Sequence, residues 1–447
     1  MKNLVWFLFA LLLKLSAQSQ NVGIGTTTPA KLLDVNGDVL LSGLTVGHGS
    51  GTVSNTNTAM GVNVLLFNTT GFNNVAIGHQ SLMVNLSGSY NVAAGTAALR
   101  NNSTGNFNSA FGDSALLSNT QGSVNTAIGA YSLYFNTSGT NNTAVGANSS
   151  LANSNGSGNT AVGAFSLQNN TTNNNTAIGV NSMFSNTTGL ANTACGGGAL
   201  RSNITGAFNT AVGLRSLLSN TSGNYNTASG DSSLFRNTTG SFNTATGIYA
   251  LISNFTGSNN SAFGFGADVS TDGLTNATAI GNGAVVNASN KIRLGNGSVS
   301  VIEGNVIFTT SDGRFKQNIK ENVPGLDFIT SLRPLTYQYK SFELEKFLNQ
   351  NNPTRVAGIN AADFSEAESM VRMGFIAQDV DKLLKEKGYS LSVVHTPTNA
   401  TDNYSIAYGE LVVPLVKAVQ EQQKMIDELK KKNELMEQEI QLLKTIK

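Results

Sequence analysis

Asn125-Thr126-Ala127-Ile128-Gly129 decides the fold, because this five-residue pattern returns along most of the chain. Its glycine stands at Gly61, Gly78, Gly95, Gly112, Gly129, Gly146, Gly163, Gly179, Gly196, Gly213, Gly230, Gly247, Gly264 and Gly281. Neighbouring glycines lie 17 residues apart, except for 16 between Gly163 and Gly179. Four residues after each glycine comes an apolar residue, usually leucine, as at Leu65, Leu99, Leu116, Leu133, Leu217 and Leu251; Ser150 and Asp268 are exceptions. An asparagine follows three residues later, as at Asn68, Asn119 and Asn136, and often a glycine three after that, as at Gly71 and Gly139.

A unit of 17 residues is too short for a helix pair and too rich in turn residues for a single helix. Thr-Ala-Ile and Ser-Leu stretches suit short strands. Asn and Gly accept the left-handed backbone angles of tight turns. The sequence therefore predicts a mainly β chain built as a β-solenoid, each unit one coil of strand, turn, strand, turn. A single coil buries too few apolar side chains to be stable, so coils must stack. Equivalent asparagines then form ladders that satisfy their amides. Cys195 occupies the slot held by Ile128, Val145 and Val212, and reads as a small buried apolar residue.

Composition removes several function classes. The 447 residues carry 27 Lys and Arg against 26 Asp and Glu, so there is no basic face for nucleic acid. Residues 51–300 hold only Arg100, Asp113, Arg201, Arg215, Asp231, Arg236, Asp268, Asp272, Lys291 and Arg293 as charged side chains. Polarity without charge can accompany disorder, but here it is periodic. A glycosidase needs paired carboxylates, and residues 51–267 offer only Asp113 and Asp231. The lone cysteine excludes an intramolecular disulfide. His48, His79 and His395 are scattered, so no metal is expected, nor any cofactor. Gly23-Ile24-Gly25 lacks the third glycine and following helix of a dinucleotide site. The many Asn-X-Thr triplets are by-products of the repeat.

Met1 and Lys2 precede an apolar run from Leu4 to Leu13, followed by Leu15-Ser16-Ala17-Gln18-Ser19-Gln20. The run is too short to span a bilayer and reads as a signal peptide cut after Ala17 or Ser19. An exported protein, extracellular or on the cell surface, without a transmembrane anchor is expected. The predicted organisation is a signal peptide at 1–19, a β cap at 20–54, solenoid repeats at 55–300, a globular domain at 301–408 and a coiled coil at 409–447.

Charged residues, aromatics and proline return after Thr310, which marks the globular domain. Ile302 to Phe308 and Val371 to Ala377 read as strands, and Asp379 to Lys387 as a helix. From about Gly409 the chain reads as one helix. Val412, Leu415, Val419, Gln422, Ile426, Leu429, Asn433, Met436, Ile440 and Leu443 follow alternating steps of three and four. That spacing is a coiled-coil heptad, in which Asn433 would fix register.

The repeats over residues 55–285 resemble the head repeats of YadA-like trimeric adhesins, which also carry Asn-Thr-Ala-Ile/Val-Gly. That resemblance implies a trimeric left-handed β-roll. The unit here is longer, and a charged helix stands where such adhesins have a membrane β-barrel, so an autotransporter mechanism is not supported.

Thr309-Thr310-Ser311-Asp312-Gly313-Arg314-Phe315-Lys316 reads locally as a capped turn. It also resembles the Ser-Asp-x-Arg-x-Lys motif that opens the intramolecular chaperone domain of phage endosialidase tailspikes. Three further elements follow in order: Leu332 to Tyr337, Gly374-Phe375-Ile376-Ala377-Gln378-Asp379-Val380, and Tyr404 to Tyr408 with Leu411 to Glu421. Lys340 to Glu368 reads as a variable loop between them. The resemblance implies a small α/β domain acting as a single-turnover serine peptidase on its own chain. Ser311 would be the nucleophile, Lys316 the general base, and Thr310–Ser311 the bond cut. Asp312, Arg314, Gly374 and Gln378 would support the motif. Arg314 has two roles open to it, depressing the lysine's basicity or anchoring the turn through Asp312. The implied partner is the chain itself, as a homotrimer; the fibre's ligand, host surface or glycan, is unspecified. The alternative is a structural adhesin whose C-terminal domain trimerises without cutting.

Overall fold

The computed structural model describes residues 22–24, 26–28, 33–35, 37–50, 56–299, 302, 311–351 and 353–445. The expected signal peptide, most of the expected Ile302 to Phe308 strand, and Thr310 lie outside the described residues. The chain divides into two compact units, Met1–Gly266 and Ala267–Lys447.

The repeats form a β-solenoid of about fourteen turns. In the first unit each coil contributes one short strand, from Thr58–Gly61 through Thr126–Ile128 to Ser261–Phe263. Neighbouring strands pair in parallel and in strict register: Thr126 with Thr143, Ala127 with Ala144, Ile128 with Val145. The short coil preserves this register, placing Thr160 beside Thr176.

The central alanine of each strand points inward. Ala76, Ala93, Ala110, Ala127 and Ala144 are all 0% exposed. The next residue points out, and Ile77, Phe111, Ile128, Ile178 and Val212 are each 42–43% exposed. Cys195 sits in this outward column and is exposed, which corrects its reading as a buried residue. Strand alternation decides its direction, because Ala194 beside it takes the inward position at 0% exposed.

The Ser-Leu stretch is a turn, where a second strand was expected. Leu65, Leu82, Leu99, Leu116, Leu133, Leu167, Leu200, Leu217, Leu234 and Leu251 adopt left-handed angles, with φ of 46 to 52°. A left-handed leucine costs roughly 1–2 kcal/mol. These leucines are all 0% exposed, and sealing a leucine from water returns roughly 1.5–3 kcal/mol. Inter-coil bonding persists without strand angles: the Leu116 N–H donates to the Ser132 carbonyl at 3.0 Å, and Leu133 to Ser149 at 3.0 Å.

Two asparagine ladders run through the stack. The Asn125 N–H donates to Asn108 Oδ1 at 3.0 Å, and its Nδ2 donates to the same oxygen at 3.1 Å and to the Gly139 carbonyl at 2.9 Å. Its own Oδ1 accepts from the Asn142 N–H at 3.0 Å. In the second ladder Asn119 Nδ2 donates to Asn102 Oδ1 at 2.7 Å and to the Gly122 carbonyl at 2.9 Å. The short coil substitutes the Thr172 carbonyl for the glycine, accepting from Asn159 at 2.7 Å. Asn125→Ala strips partners from buried polar groups on both sides, so a loss of about 3 kcal/mol is expected. Faster amide hydrogen exchange confined to the neighbouring coils would report it.

In the second unit Asp268–Val269 pairs with Val285–Val286 and Thr278–Ile280 with Ile292–Leu294, both in parallel. Two antiparallel pairs follow, Leu335–Tyr337 with Arg372–Gly374 and Val394–His395 with Ser405–Ile406. The Val371 to Ala377 expectation thus contracts to three residues. The core is Phe328, Val380, Leu384 and Val393, with Ile329, Leu332, Phe375 and Ile406 packed against it. Helix Ala377–Glu386 begins slightly before its expected start. Lys340 to Glu368, read as a loop, is largely helical: Ser341–Leu348, Pro353–Ala357, and the turns from Ala361 onward.

A 3-10 turn, Tyr408–Leu411, leads into the terminal helix Val412–Thr445. Its heptad residues Val419, Ile426, Leu429, Met436, Ile440 and Leu443 are 45–66% exposed in the single chain. Among the described residues no helix is long and apolar enough to cross a membrane.

Candidate active site

Ser311 opens a tight turn. Gly313–Phe315 forms one 3-10 turn, capped by Asp312, whose Oδ1 accepts from the Arg314 N–H at 2.9 Å. The Arg314 side chain folds back onto the same carboxylate, with Nε 2.9 Å from Oδ2. These hydrogen bonds hold the Asp312 carboxyl below its ordinary range and raise the Arg314 guanidinium. Of the two roles open to Arg314, the geometry displays the turn anchor.

The chain leaves the turn extended at Lys316, φ −100° and ψ 133°. That conformation brings the lysine back across the turn, and its Nζ donates to Ser311 Oγ at 2.8 Å. A serine hydroxyl and a lysine amine therefore meet across one capped turn. Ser311 and Lys316 are exposed, as are Phe315 and Ile319, each at 76%.

Gly374 and Gln378 stand apart from this pair. A Cβ on Gly374 would meet the Tyr408 hydroxyl at 2.1 Å, an oxygen that accepts from the Phe375 N–H at 3.0 Å. Gly374 is thus the residue that lets Tyr408 close over the strand. Tyr337 packs beside Tyr339 and Tyr408, and burial, then hydrogen bonds within this cluster, push its phenol up. Gln378 is exposed at the start of its helix and lines a cleft of about 650 Å³ with Arg293, Tyr337 and Tyr404. Neither Gly374 nor Gln378 is hydrogen-bonded to Ser311 or Lys316.

Two features had no role assigned by sequence reasoning. Glu421, at the end of the last motif element, caps helix Leu326–Ser331: the Leu326 N–H donates to its Oε2 at 2.7 Å. Replacing Glu421 with Ala should cost about 1 kcal/mol, seen as a lower denaturant midpoint of this unit.

The second feature is the buried carboxylate of Asp402. Burial alone would raise its pKa, but hydrogen bonds from the Thr398 N–H, His395, Lys291 and the Asn403 N–H outweigh this and leave it lowered. A depressed carboxyl contributes stability that is complete above its unfolded pKa, about 4, and lost as pH falls below it. Acid titration of the unit's stability should therefore show a loss below that pH, and Asp402→Asn should flatten it. Nothing in the local sequence marked this residue: His395, Thr398 and Asn403 stand close to it, but its cation, Lys291, lies far away along the chain.

Residues 311–389 match the model of the family described as chaperone of endosialidase, which supports a C-terminal chaperone domain. The match opens at Ser311 and includes the turn, the Leu332 to Tyr337 element and the Gly374 to Val380 element; the Tyr404 to Glu421 element lies beyond it. No curated protein matches the chain. Among the described residues no group of His, Cys, Asp and Glu is placed to hold a metal ion.

Proposed function

We propose that the chain is an exported trimeric fibre whose C-terminal domain assembles three copies and then cuts Thr310–Ser311. The observation that carries this reading is the 2.8 Å contact between Lys316 Nζ and Ser311 Oγ, at the first residue of the chaperone match. Lys316 takes the hydroxyl proton as Ser311 Oγ attacks the Thr310 carbonyl carbon. The Oγ–C bond forms and the C–N bond breaks, and the nitrogen leaves as the Ser311 amine, taking the proton back from Lys316. Water then hydrolyses the ester, leaving Thr310 with a carboxylate.

Lysine acts as a base only when neutral, and desolvation favours that form. In the single chain the pair faces solvent beside the exposed Phe315 and Ile319. Assembly that covers these two apolar side chains would also dry the amine, so that cutting follows trimer formation. Long β stacks assemble slowly and are prone to aggregate. A coiled coil on the terminal helix gathers the chains at high effective concentration, and the cut then removes the clamp.

The YadA-like β-roll and the signal peptide belong to this same reading. The test is the intact mass of the chain expressed without residues 1–19. Two fragments, 20–310 and 311–447, support the reading, whereas a folded, trimeric, whole chain leaves a trimerising adhesin. Substituting Asp at both Ile426 and Leu429 places charge in the heptad seam. That variant is expected to sediment as a monomer and to lose cleavage.

A further inference from the structure

Within the second unit, several contacts join residues on either side of Thr310–Ser311, among them Gly297 with Glu345 and Ser270 with Asn351, and one cluster is far more connected than these. On the solenoid side are Asn287 and Lys291; on the other is the loop Thr396 to Asn403. Asn287 Nδ2 donates to the Thr401 carbonyl at 2.8 Å and to Asn403 Oδ1 at 3.0 Å. Lys291 Nζ donates to Asn287 Oδ1 at 2.9 Å and to Asp402 Oδ1 at 3.1 Å. Asn399 Nδ2 returns a bond to the Asn287 carbonyl at 3.4 Å. The other Asp402 oxygen accepts from His395 Nε2 at 2.8 Å and the Thr398 N–H at 3.0 Å. Asn287 is 1% exposed, and the Asp402 side chain 0%.

These partners copy the solenoid's own ladders. Asn125 gives its amide to a backbone carbonyl and to a neighbouring asparagine oxygen, and Asn287 does the same with Thr401 and Asn403. The sequences agree as well: Asn399-Ala400-Thr401 repeats the Asn276-Ala277-Thr278 of the last coils, and Asn287-Ala288-Ser289 is its near copy. The loop offers the final coil what another coil would offer. An uncovered stack end presents unpaired backbone groups to other chains, and repeat arrays need terminal caps.

We propose that the loop Thr396 to Asn403 is a detachable end cap, a mock coil seated on Asn287 and Lys291. It holds the chaperone and the fibre together without a covalent bond once the chain between them is cut. The proposal rests on the self-cutting reading for the natural origin of the break, but the contact itself does not. Because Asp402 is buried, removing Lys291 leaves a carboxylate that has lost its cation.

The test uses the full-length Ser311→Ala chain with a sequence-specific protease site placed between Glu303 and Phe308. The chain is cut with that protease, diluted, and run by native size exclusion with denaturing gels of each fraction. With the cap intact the halves are expected to co-elute. With Lys291→Met or Asp402→Asn they should separate at least tenfold faster. Because Asp402→Asn can disturb the loop's own fold, Lys291→Met tests the seat from the solenoid side, with circular dichroism verifying the chaperone half. Immediate separation with the native cap overturns the proposal. So does unchanged retention in both variants with loss in Glu345→Gln, whose carboxylate accepts from the Gly297 N–H at 3.0 Å. Self-cutting is read separately on the unaltered chain, so its failure is distinguishable from failure of the cap.

Discussion

Ser311→Ala should leave the chain whole, with cleavage slowed by at least about 10⁴-fold, because no other group replaces a lost nucleophile. Lys316→Met should do the same. Both side chains are exposed and meet each other across a surface turn, so each change should alter stability by less than about 0.5 kcal/mol. The loss would then be chemical, not structural. Lys316→Arg sharpens the test. Arginine keeps the charge and can still donate to Ser311, but it cannot surrender its proton at accessible pH. An uncut Lys316→Arg chain therefore supports a base, whereas a cut one would reduce the lysine to a hydrogen-bond donor. Intact masses after a fixed incubation decide between them.

Gly129→Ala is expected to destabilise the solenoid by on the order of 4 kcal/mol, an exceptional value for adding one methyl. Gly129 has φ +123°, and a Cβ there would meet the Gly146 carbonyl carbon at 2.7 Å and its oxygen at 2.8 Å. Those atoms belong to the next coil's backbone and cannot rotate away. Gly388 supplies the contrast. Its φ is +71° with nothing within 4 Å of a built Cβ, so Gly388→Ala should cost only about 1 kcal/mol in backbone strain. Since each coil touches only its neighbours, the Gly129 change should open exchange first between Gly112 and Gly146 and leave distant coils protected.

The coil was legible because its period repeats with a single one-residue exception, and the ladders because asparagine recurs where a turn needs it. The direction of each strand face was harder to read. The slot that Cys195 shares with Ile128, Val145 and Val212 suggested that it is buried, whereas the coil seats Ala127 and Leu133 inside. The second strand failed for a related reason: Leu133, at φ 48°, follows no intrinsic preference and is held by the burial that stacking creates. At the site, Ser311 and Lys316 are neighbours in sequence, so a motif could reveal them. The Asp402 cluster joins residues more than a hundred positions apart, such as Asn287 and Asn403, and no local pattern encodes that contact.

The parallel register has a consequence for length. Every coil advances the stack by one strand spacing, about 4.8 Å, whatever its outward residues are. The rise from Ala59 to Ala262 is then about 58 Å. Even the 16-residue coil keeps the step, because its missing residue leaves the strand pairing of Thr160 with Thr176 intact. The first unit is therefore a ruler graduated in whole coils. Deleting one repeat shortens it by one division and rejoins identical surfaces, so reach can change by duplication or loss while the two ends keep their chemistry.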